Sequence, residues 1–186
     1  MKNIPIAAAV LFAGCVATPL SGPPDGVAKA QEAQAAVDAW TAPSALEARV
    51  LLEEYGAPDE VAGDRLAWVG RGPWDRVDVW NAPLGAAETP VVQQTVGYPL
   101  DEKAARDVRA FDPRVICDLP TGRLSARSDS EEKNYLLLNL ADDVVNGRKT
   151  PDDARAAYKE ILDRSYSGKS SPYLRGLLFR FGSINP

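Results

Sequence analysis

The chain has 186 residues, of which 45% are hydrophobic and 25% charged, and its formal net charge is −5 at pH 7. This composition is typical of a soluble globular protein, and the length favours one domain over several. The sequence contains no histidine and only two cysteines, which excludes imidazole-based nucleophilic catalysis, histidine-ligated metals and four-thiolate clusters. The acidic balance argues against a nucleic-acid partner, because phosphate binding requires clustered Lys and Arg in excess. We therefore expect no cofactor and no metal site.

The N-terminus has the pattern of an export signal. Lys2 precedes a short apolar run at 4–13, and the run ends at Phe12-Ala13-Gly14-Cys15. An apolar run of this length is too short for a bilayer-spanning helix, which needs about 20 residues. The pattern resembles a bacterial lipoprotein signal peptide over 1–14, in which small residues precede an acylated cysteine. The resemblance implies cleavage before Cys15 and a membrane anchor of diacylglycerol and palmitate on that residue.

Val16 bears on which membrane would hold the protein. In lipoproteins of this kind an aspartate directly after the cysteine retains the protein in the inner membrane. The resemblance therefore implies delivery to the outer membrane, with the folded part facing the periplasm. The alternative is an ordinary secretory signal, which would give a periplasmic or secreted protein.

Residues 15–43 are expected to join the lipid to the folded domain. The segment 16–26 is rich in Pro and Gly and has few large apolar side chains, as in a flexible tether. The segment 27–40 is rich in Ala and Gln, which leaves two options open. It is either a weak helix docked through Val37 and Trp40, or a partly disordered continuation of the tether.

The folded domain is expected to begin at Ser44 with a helix at 44–55. Ser44 and Glu47 fit a capping box, and Leu46 and Val50 recur at helical spacing with Leu51. Alternating and β-branched runs bounded by Gly and Pro then predict a sheet-rich part over 44–127. The predicted elements in chain order are strands at 65–69, 74–80 and 91–97, a helix at 101–111 capped by Asp101, and strands at 114–119 and 123–125.

The remainder, 128–186, is predicted to be helical. Ser128 and Glu131 form a second potential capping box before an apolar run at 135–145, which should be buried between the sheet and another helix. Cap and proline pairs then start a helix at Thr150-Pro151 and a last segment at 173–181. The fold class is therefore α+β: a small, mostly antiparallel sheet with helices packed on one face.

One local stretch resembles a known family. Val50-Leu51-Leu52 on the first helix, Gly56 and Pro58 at its end, and the strands Leu66-Ala67-Trp68 and Val77-Asp78-Val79-Trp80 follow the lipoprotein-like signal. This order resembles the helix-then-hairpin module of the SmpA/OmlA group of small outer-membrane lipoproteins. The resemblance implies a scaffolding role in the cell envelope, although the helices beyond 128 have no counterpart in that family.

Tryptophan and arginine are concentrated at 65–80. In the strand 74–80, Val77 and Val79 share one face, whereas Trp74, Arg76 and Trp80 share the other. If the valines face the core, the tryptophans either lie under a second layer or form a binding patch, since Trp and Arg dominate interface hot spots. We predict a non-enzymatic scaffold or binding protein for an envelope protein or glycan, with Trp74, Trp80 and Arg76 as the binding residues.

The alternative function is an envelope hydrolase. Ser130 and Lys133 match the Ser-x-x-Lys pattern, in which the lysine can take the proton of a serine nucleophile. The companion motifs of penicillin-recognising enzymes are missing, and a serine in the first turn of a helix is usually a cap. We therefore interpret Ser130 as a helix cap.

Three other features have structural interpretations. Cys117 lies in a β-like run and is expected to be a small core residue rather than a nucleophile. Asn139 should bind the backbone of a neighbouring loop, because a buried amide requires partners. Asp142 and Asp143 are adjacent on a helix and are expected to point apart, without sharing a site.

Overall fold

The computed structural model describes residues 25–83 and 89–180; the predicted signal peptide and Cys15 lie outside them. The helices in this part of the chain are α1 Asp25–Val37, α2 Ala42–Tyr55, α3 Glu102–Phe111, α4 Glu131–Val145, α5 Pro151–Tyr166 and a short 3₁₀ helix Pro172–Leu174. The strands are β1 Glu60–Ala62, β2 Arg65–Arg71, β3 Trp74–Trp80, β4 Val92–Gly97, β5 Val115–Asp118 and β6 Arg123–Ser128.

These six strands form one sheet in the order β1-β2-β3-β4-β6-β5, with every neighbouring pair antiparallel. The predicted strands are all present, and the missed strand β1 is only three residues long. β2 and β3 form the predicted hairpin, in which Arg71 pairs with Trp74 across Gly72 and Pro73. Gly72 has a φ of 54°, which a residue without a Cβ adopts without strain.

The helices that contact the sheet lie on one of its faces. α2 packs on β2 and β3, whereas α4 packs on β4, β5 and β6. The two helices meet where the Tyr55 hydroxyl donates to Glu131. α3 and α5 pack against α4, and α1 packs against α2 and the edge strand β1. The predicted α+β architecture with helices on one face is confirmed.

The domain begins earlier than the predicted Ser44. Ala33 and Val37 of α1 are fully buried, and the Trp40 indole nitrogen donates to the carbonyl of Gly63 at 2.7 Å. Of the two options for this segment, the docked helix is therefore correct. The predicted tether shortens accordingly, because α1 begins at Asp25 and contributes to the core from Ala33 onward.

Both predicted capping boxes are wrong. α2 begins at Ala42 after Thr41, and the Ser44 hydroxyl accepts from the backbone N–H of Ala82. α4 is capped by Ser130, whose hydroxyl accepts from the backbone N–H of Lys133, as the cap interpretation of Ser130 predicted. Ser128 instead ends β6, so each helix starts two residues away from the predicted position.

The buried face of α2 is not the one that its large residues indicated. Leu46 is 67% exposed and Val50 is 47% exposed. The buried positions are mostly small: Ser44, Ala45, Glu47, Ala48 and Leu51. Small side chains let α2 approach the sheet closely, and this leaves Leu46 and Val50 on the solvent side.

α4 is the central helix, as its apolar content predicted. Nearly all of its residues are buried between the sheet, α3 and α5. Asn139 binds the backbone of the C-terminal segment, because its amide donates to the carbonyls of Tyr173 and Gly176 and accepts from the N–H of Leu178. The structural interpretation of Asn139 is confirmed.

The predicted starts of α3 and α5 are also confirmed. The Asp101 carboxylate accepts from the N–H of Ala104 at 2.7 Å. Thr150 and Asp153 form a reciprocal capping box before Pro151, in which the side chain of each binds the backbone of the other. Such caps satisfy the free N–H groups of a helix start.

Candidate functional site

The face of the sheet opposite the helices is not covered by any helix of the described residues, and we call it the open face. Strand register and side-chain alternation place on it Glu60, Ala62, Arg65, Ala67, Val69, Arg76, Asp78, Trp80, Gln93, Thr95, Ile116, Asp118, Arg123, Ser125 and Arg127. Its centre is made of small buried residues, and the hydroxyls of Thr95 and Ser125 are hydrogen bonded at 2.8 Å. Longer charged and aromatic side chains surround that centre.

An ionic cluster occupies the β1–β3 side of the open face. The Arg76 guanidinium donates to Glu60 at 2.9 Å and to Asp78 at 2.7 Å, and Arg65 contacts the same two carboxylates. These hydrogen bonds raise the pKa of Arg76 and lower that of Glu60. The cluster fastens the short edge strand β1 to β3. Arg76 thus lies on the predicted face, but its guanidinium is already bound within the chain.

Trp80 and Arg127 form a second group on the open face. The Arg127 guanidinium lies over the Trp80 ring, 4.6 Å from its centroid. Trp80 is partly buried and Arg127 is exposed. The guanidiniums of Arg127 and of Arg123, on the same strand, form no ion pair within the described residues. The N–H groups of both guanidiniums are therefore available to an anionic partner. Sequence reasoning missed Arg127 because only strand register places β6 near Trp80.

Trp74 does not belong to the open face. It is 2% exposed, its ring stacks on Tyr135 of α4 at 5.0 Å, and its indole nitrogen donates to Glu131 at 2.6 Å. The covered alternative is therefore correct for Trp74, and the expected pairing of Trp74 with Trp80 on one outer face is wrong. Trp74 is the first residue of β3, where the strand leaves the hairpin, and its ring packs against α4.

Glu131 is the centre of a buried polar cluster that the sequence did not reveal. One of its carboxyl oxygens accepts from the Tyr55 hydroxyl at 2.5 Å, the Trp74 indole at 2.6 Å and the Gln94 amide at 2.5 Å. These donors come from α2, β3 and β4, so a single carboxyl group joins two strands and two helices. Burial, together with the bond to Glu131, raises the pKa of Tyr55.

Glu47 extends this cluster to the start of α4. Its carboxyl oxygen accepts from the backbone N–H of Glu131 at 3.1 Å, so a residue of α2 binds the first N–H of another helix. Burial raises the pKa of Glu47 to about 7, and the charges of Glu132, Glu131 and Asp129 contribute in the same direction. The partners of this cluster all come from the chain itself, which makes it a structural site.

Ser130 and Lys133 lie at the N-terminus of α4, beside a cavity of about 340 Å³. The Lys133 amine donates to Asp129 at 2.7 Å. Burial alone would lower the pKa of Lys133, but the hydrogen bond and charge of Asp129 raise it above its ordinary value. A charged amine held by Asp129 is poorly placed to take the proton of Ser130, which a Ser-Lys nucleophile requires.

Asp142 and Asp143 do share a site, contrary to the prediction. The Arg148 guanidinium donates to both carboxylates, and the hydroxyls of Tyr98 and Tyr173 donate to Asp142 and Asp143 respectively. Neighbouring helical side chains diverge, but the chain turns back after α4 and brings Arg148 between them. Both carboxylates are hydrogen bonded within the chain, so we interpret this pair as a structural site that stabilises the end of α4.

Cys117 is half-buried on β5 and packs against the core, as predicted. Burial raises the pKa of its thiol, which lowers the thiolate fraction needed for reactivity. Within the described residues, no group of three or more acidic or cysteine side chains is suited to hold a metal ion. Over the same residues, every helix is too short or too polar to cross a bilayer.

Comparison with known proteins gave no match to a family model, to a curated protein or to a solved structure.

Proposed function

We propose that this protein is a non-enzymatic lipoprotein of the bacterial cell envelope that binds an envelope protein through the open face of its sheet. The signal-like N-terminus supports a lipid on Cys15, and Val16 supports the outer membrane. Helix α1 begins 10 residues after Cys15, so the anchor would hold the start of this helix within about 35 Å of the lipid surface. The open face would then meet neighbouring envelope components rather than soluble ones.

The observation that carries this proposal is the contact of Arg127 with Trp80, together with a second exposed arginine, Arg123, four residues away on the same strand. Arg123 and Arg127 project from one strand of a rigid sheet, and Arg127 lies against an aromatic ring. Arg and Trp dominate interface hot spots, and a guanidinium binds a carboxylate through two parallel hydrogen bonds. Because Arg127 covers one face of the Trp80 ring, a sugar ring would have to displace it to stack there. We therefore favour an acidic protein surface over a glycan as the partner.

The anchor is tested by the intact mass of the protein purified from the membrane fraction, beside a Cys15→Ser variant. We expect a chain that begins at Cys15 and carries the mass of acyl chains, with no such adduct in the variant. A native chain without an acyl adduct would contradict the anchor and would support the periplasmic or secreted alternative.

The partner surface is tested by crosslinking in envelope membranes followed by affinity purification. The double variant Arg123→Gln/Arg127→Gln should reduce recovery of the main crosslinked protein about tenfold, which corresponds to about 1.4 kcal/mol of binding free energy. Trp80→Ala should act in the same direction. Arg106→Gln, on the exposed side of α3, is the matched control and should leave recovery unchanged.

Equal recovery with all of these variants would contradict the open face as the binding surface. If the arginine and Trp80 variants lose a crosslinked glycan instead of a crosslinked protein, the partner is a glycan.

The second candidate function is hydrolysis by Ser130 and Lys133, which is favoured only by the cavity beside them. The test is turnover of a reporter ester or a β-lactam by the purified protein. Turnover that Ser130→Ala abolishes would replace the binding proposal with a hydrolase. Because Lys133 is bound to Asp129, we expect no turnover that depends on Ser130.

A further inference from the structure

The cavity of about 340 Å³ lies between the start of α4, the end of α5 and the segment that follows α5. We infer that it is a second binding site, for a neutral carbohydrate of one or two sugar units. Its volume falls at the small end of the range of known ligand pockets. It lies on the helical side of the domain, so this inference does not depend on the open face.

Hydroxyl groups dominate the polar lining of the cavity. Ser130, Ser165, Tyr166, Ser170 and Ser171 all line it. The hydroxyls of Ser130 and Ser171 accept from backbone N–H groups at helix starts, which leaves their hydrogens free to donate. Ser165 and Ser170 form no side-chain hydrogen bond to the described residues. A hydroxyl both donates and accepts, and the hydroxyls of a sugar require partners of that kind.

Two opposite charges line the same cavity without pairing. Glu132 and Arg175 are both exposed, and neither forms an ion pair with a described residue. A carboxylate accepts hydrogen bonds from neighbouring hydroxyls, and a guanidinium donates two in parallel to neighbouring oxygens. The third charge, Lys133, is neutralised by Asp129. The cavity therefore has no net charge, which favours a neutral polyol over phosphate.

The apolar part of the lining suits the carbon face of a sugar ring. Leu162 and Leu174 line the cavity together with Tyr166, which is 74% exposed. Tyrosine offers an apolar ring and a polar hydroxyl on one rigid side chain. An aromatic ring left so exposed has little role in the core, so its removal should affect binding and not folding.

The test is calorimetric titration of the full-length protein, in a detergent without a sugar headgroup, with glucose, N-acetylglucosamine and maltose. We expect at least one of these sugars to bind with a millimolar Kd. Tyr166→Ala and Arg175→Gln should each weaken that binding about tenfold. Arg164→Gln is the matched control, since this exposed residue of α5 lies outside the cavity lining.

Thermal melts of the three variants should match the wild-type melt, which separates loss of binding from loss of fold. Absence of heat with all three sugars would overturn the inference. Equal weakening of sugar binding by Arg164→Gln would also overturn it. Binding of inorganic phosphate or glycine that depends in the same way on Tyr166 and Arg175 would overturn it too, and would assign the cavity to an anion or a zwitterion.

Discussion

Replacing Glu131 with alanine should lower the free energy of unfolding by about 4 kcal/mol. The substitution removes the shared acceptor of Tyr55, Trp74 and Gln94, and leaves three donors beneath the sheet without their partner. A buried donor left unsatisfied costs about 1–3 kcal/mol, and the Trp74 indole keeps a longer bond of 3.2 Å to the Tyr55 hydroxyl, so the loss of the shared acceptor should cost about 4 kcal/mol. Urea denaturation followed by tryptophan fluorescence measures the effect, because Trp74 lies in the cluster.

The neighbouring residue provides a matched control. Glu132→Ala removes the same acidic side chain from the same first turn of α4, but Glu132 is exposed and forms no bond within the described chain. Its loss should cost about 0.5 kcal/mol, the value of an acidic residue at a helix N-terminus. Glu131→Gln keeps an acceptor oxygen and should fall between the two. A Glu131→Ala effect within about 1 kcal/mol of the control would show that the cluster contributes little to stability.

The parts of the fold that could be predicted from the sequence depend on contacts close along the chain. The β2–β3 hairpin follows from a strand pattern on each side of the turn at Gly72 and Pro73, and the turn and both strand patterns lie within a few residues of one another. The starts of α3 and α5 follow from Asp101 and Thr150, whose side chains bind N–H groups within three residues of themselves. In such cases local chemistry and the final structure agree.

The two wrong capping boxes have one cause. Glu47 and Glu131 each lie three residues after a serine, which is the local pattern of a cap. In the structure, the two glutamates instead meet each other, although they are 84 positions apart in the sequence. Tyr55 and Trp74 hold the carboxyl group of Glu131, and the backbone N–H of Glu131 holds that of Glu47. A local sequence pattern contains no information about these contacts.

Trp74 shows where side-chain alternation along a strand fails to predict the face on which a residue lies. The rule places Val77 and Val79 correctly inside the strand, and Trp80 correctly at its last residue, which still pairs with Arg65 of β2. It fails at the first residue of β3, where a large ring gains more from packing on Tyr135 than from remaining on the open face. The Trp80–Arg127 pair was beyond prediction for a different reason, because it depends on the insertion of β6 beside β4.

The difference in stability between the wild-type protein and a Glu47→Gln variant should depend on pH. Glu47 is buried, and its pKa is raised from 4.5 to about 7. The native state therefore keeps its proton up to about pH 7, whereas the unfolded chain loses it near pH 4.5. Between these values the unfolded state binds fewer protons, so the contribution of Glu47 to stability falls as the pH rises.

The full penalty is present above about pH 7 and amounts to about 3 kcal/mol. The glutamine side chain of the variant would keep an oxygen that accepts from the N–H of Glu131 and would never ionise. We therefore expect Glu47→Gln to match the wild type within about 1 kcal/mol at about pH 4 and to exceed it by about 3 kcal/mol at about pH 8. Urea denaturation of both proteins at several pH values across this range measures the difference.

Comparison of each variant with the wild type at the same pH cancels the contributions of other titratable groups to stability. Asp143 and Asp153 have pKa values lowered from 3.8, so their stabilising contribution is lost as the pH falls below about 4 and alters only the acid end of the wild-type profile. Glu53→Gln is the control, since it replaces an exposed glutamate of the same helix and leaves the carboxyl group of Glu47 in place. If the difference between Glu47→Gln and the wild type does not change with pH, the carboxyl group of Glu47 is not protonated in the native state near neutral pH, and ionised Glu47 is tolerated at the start of α4.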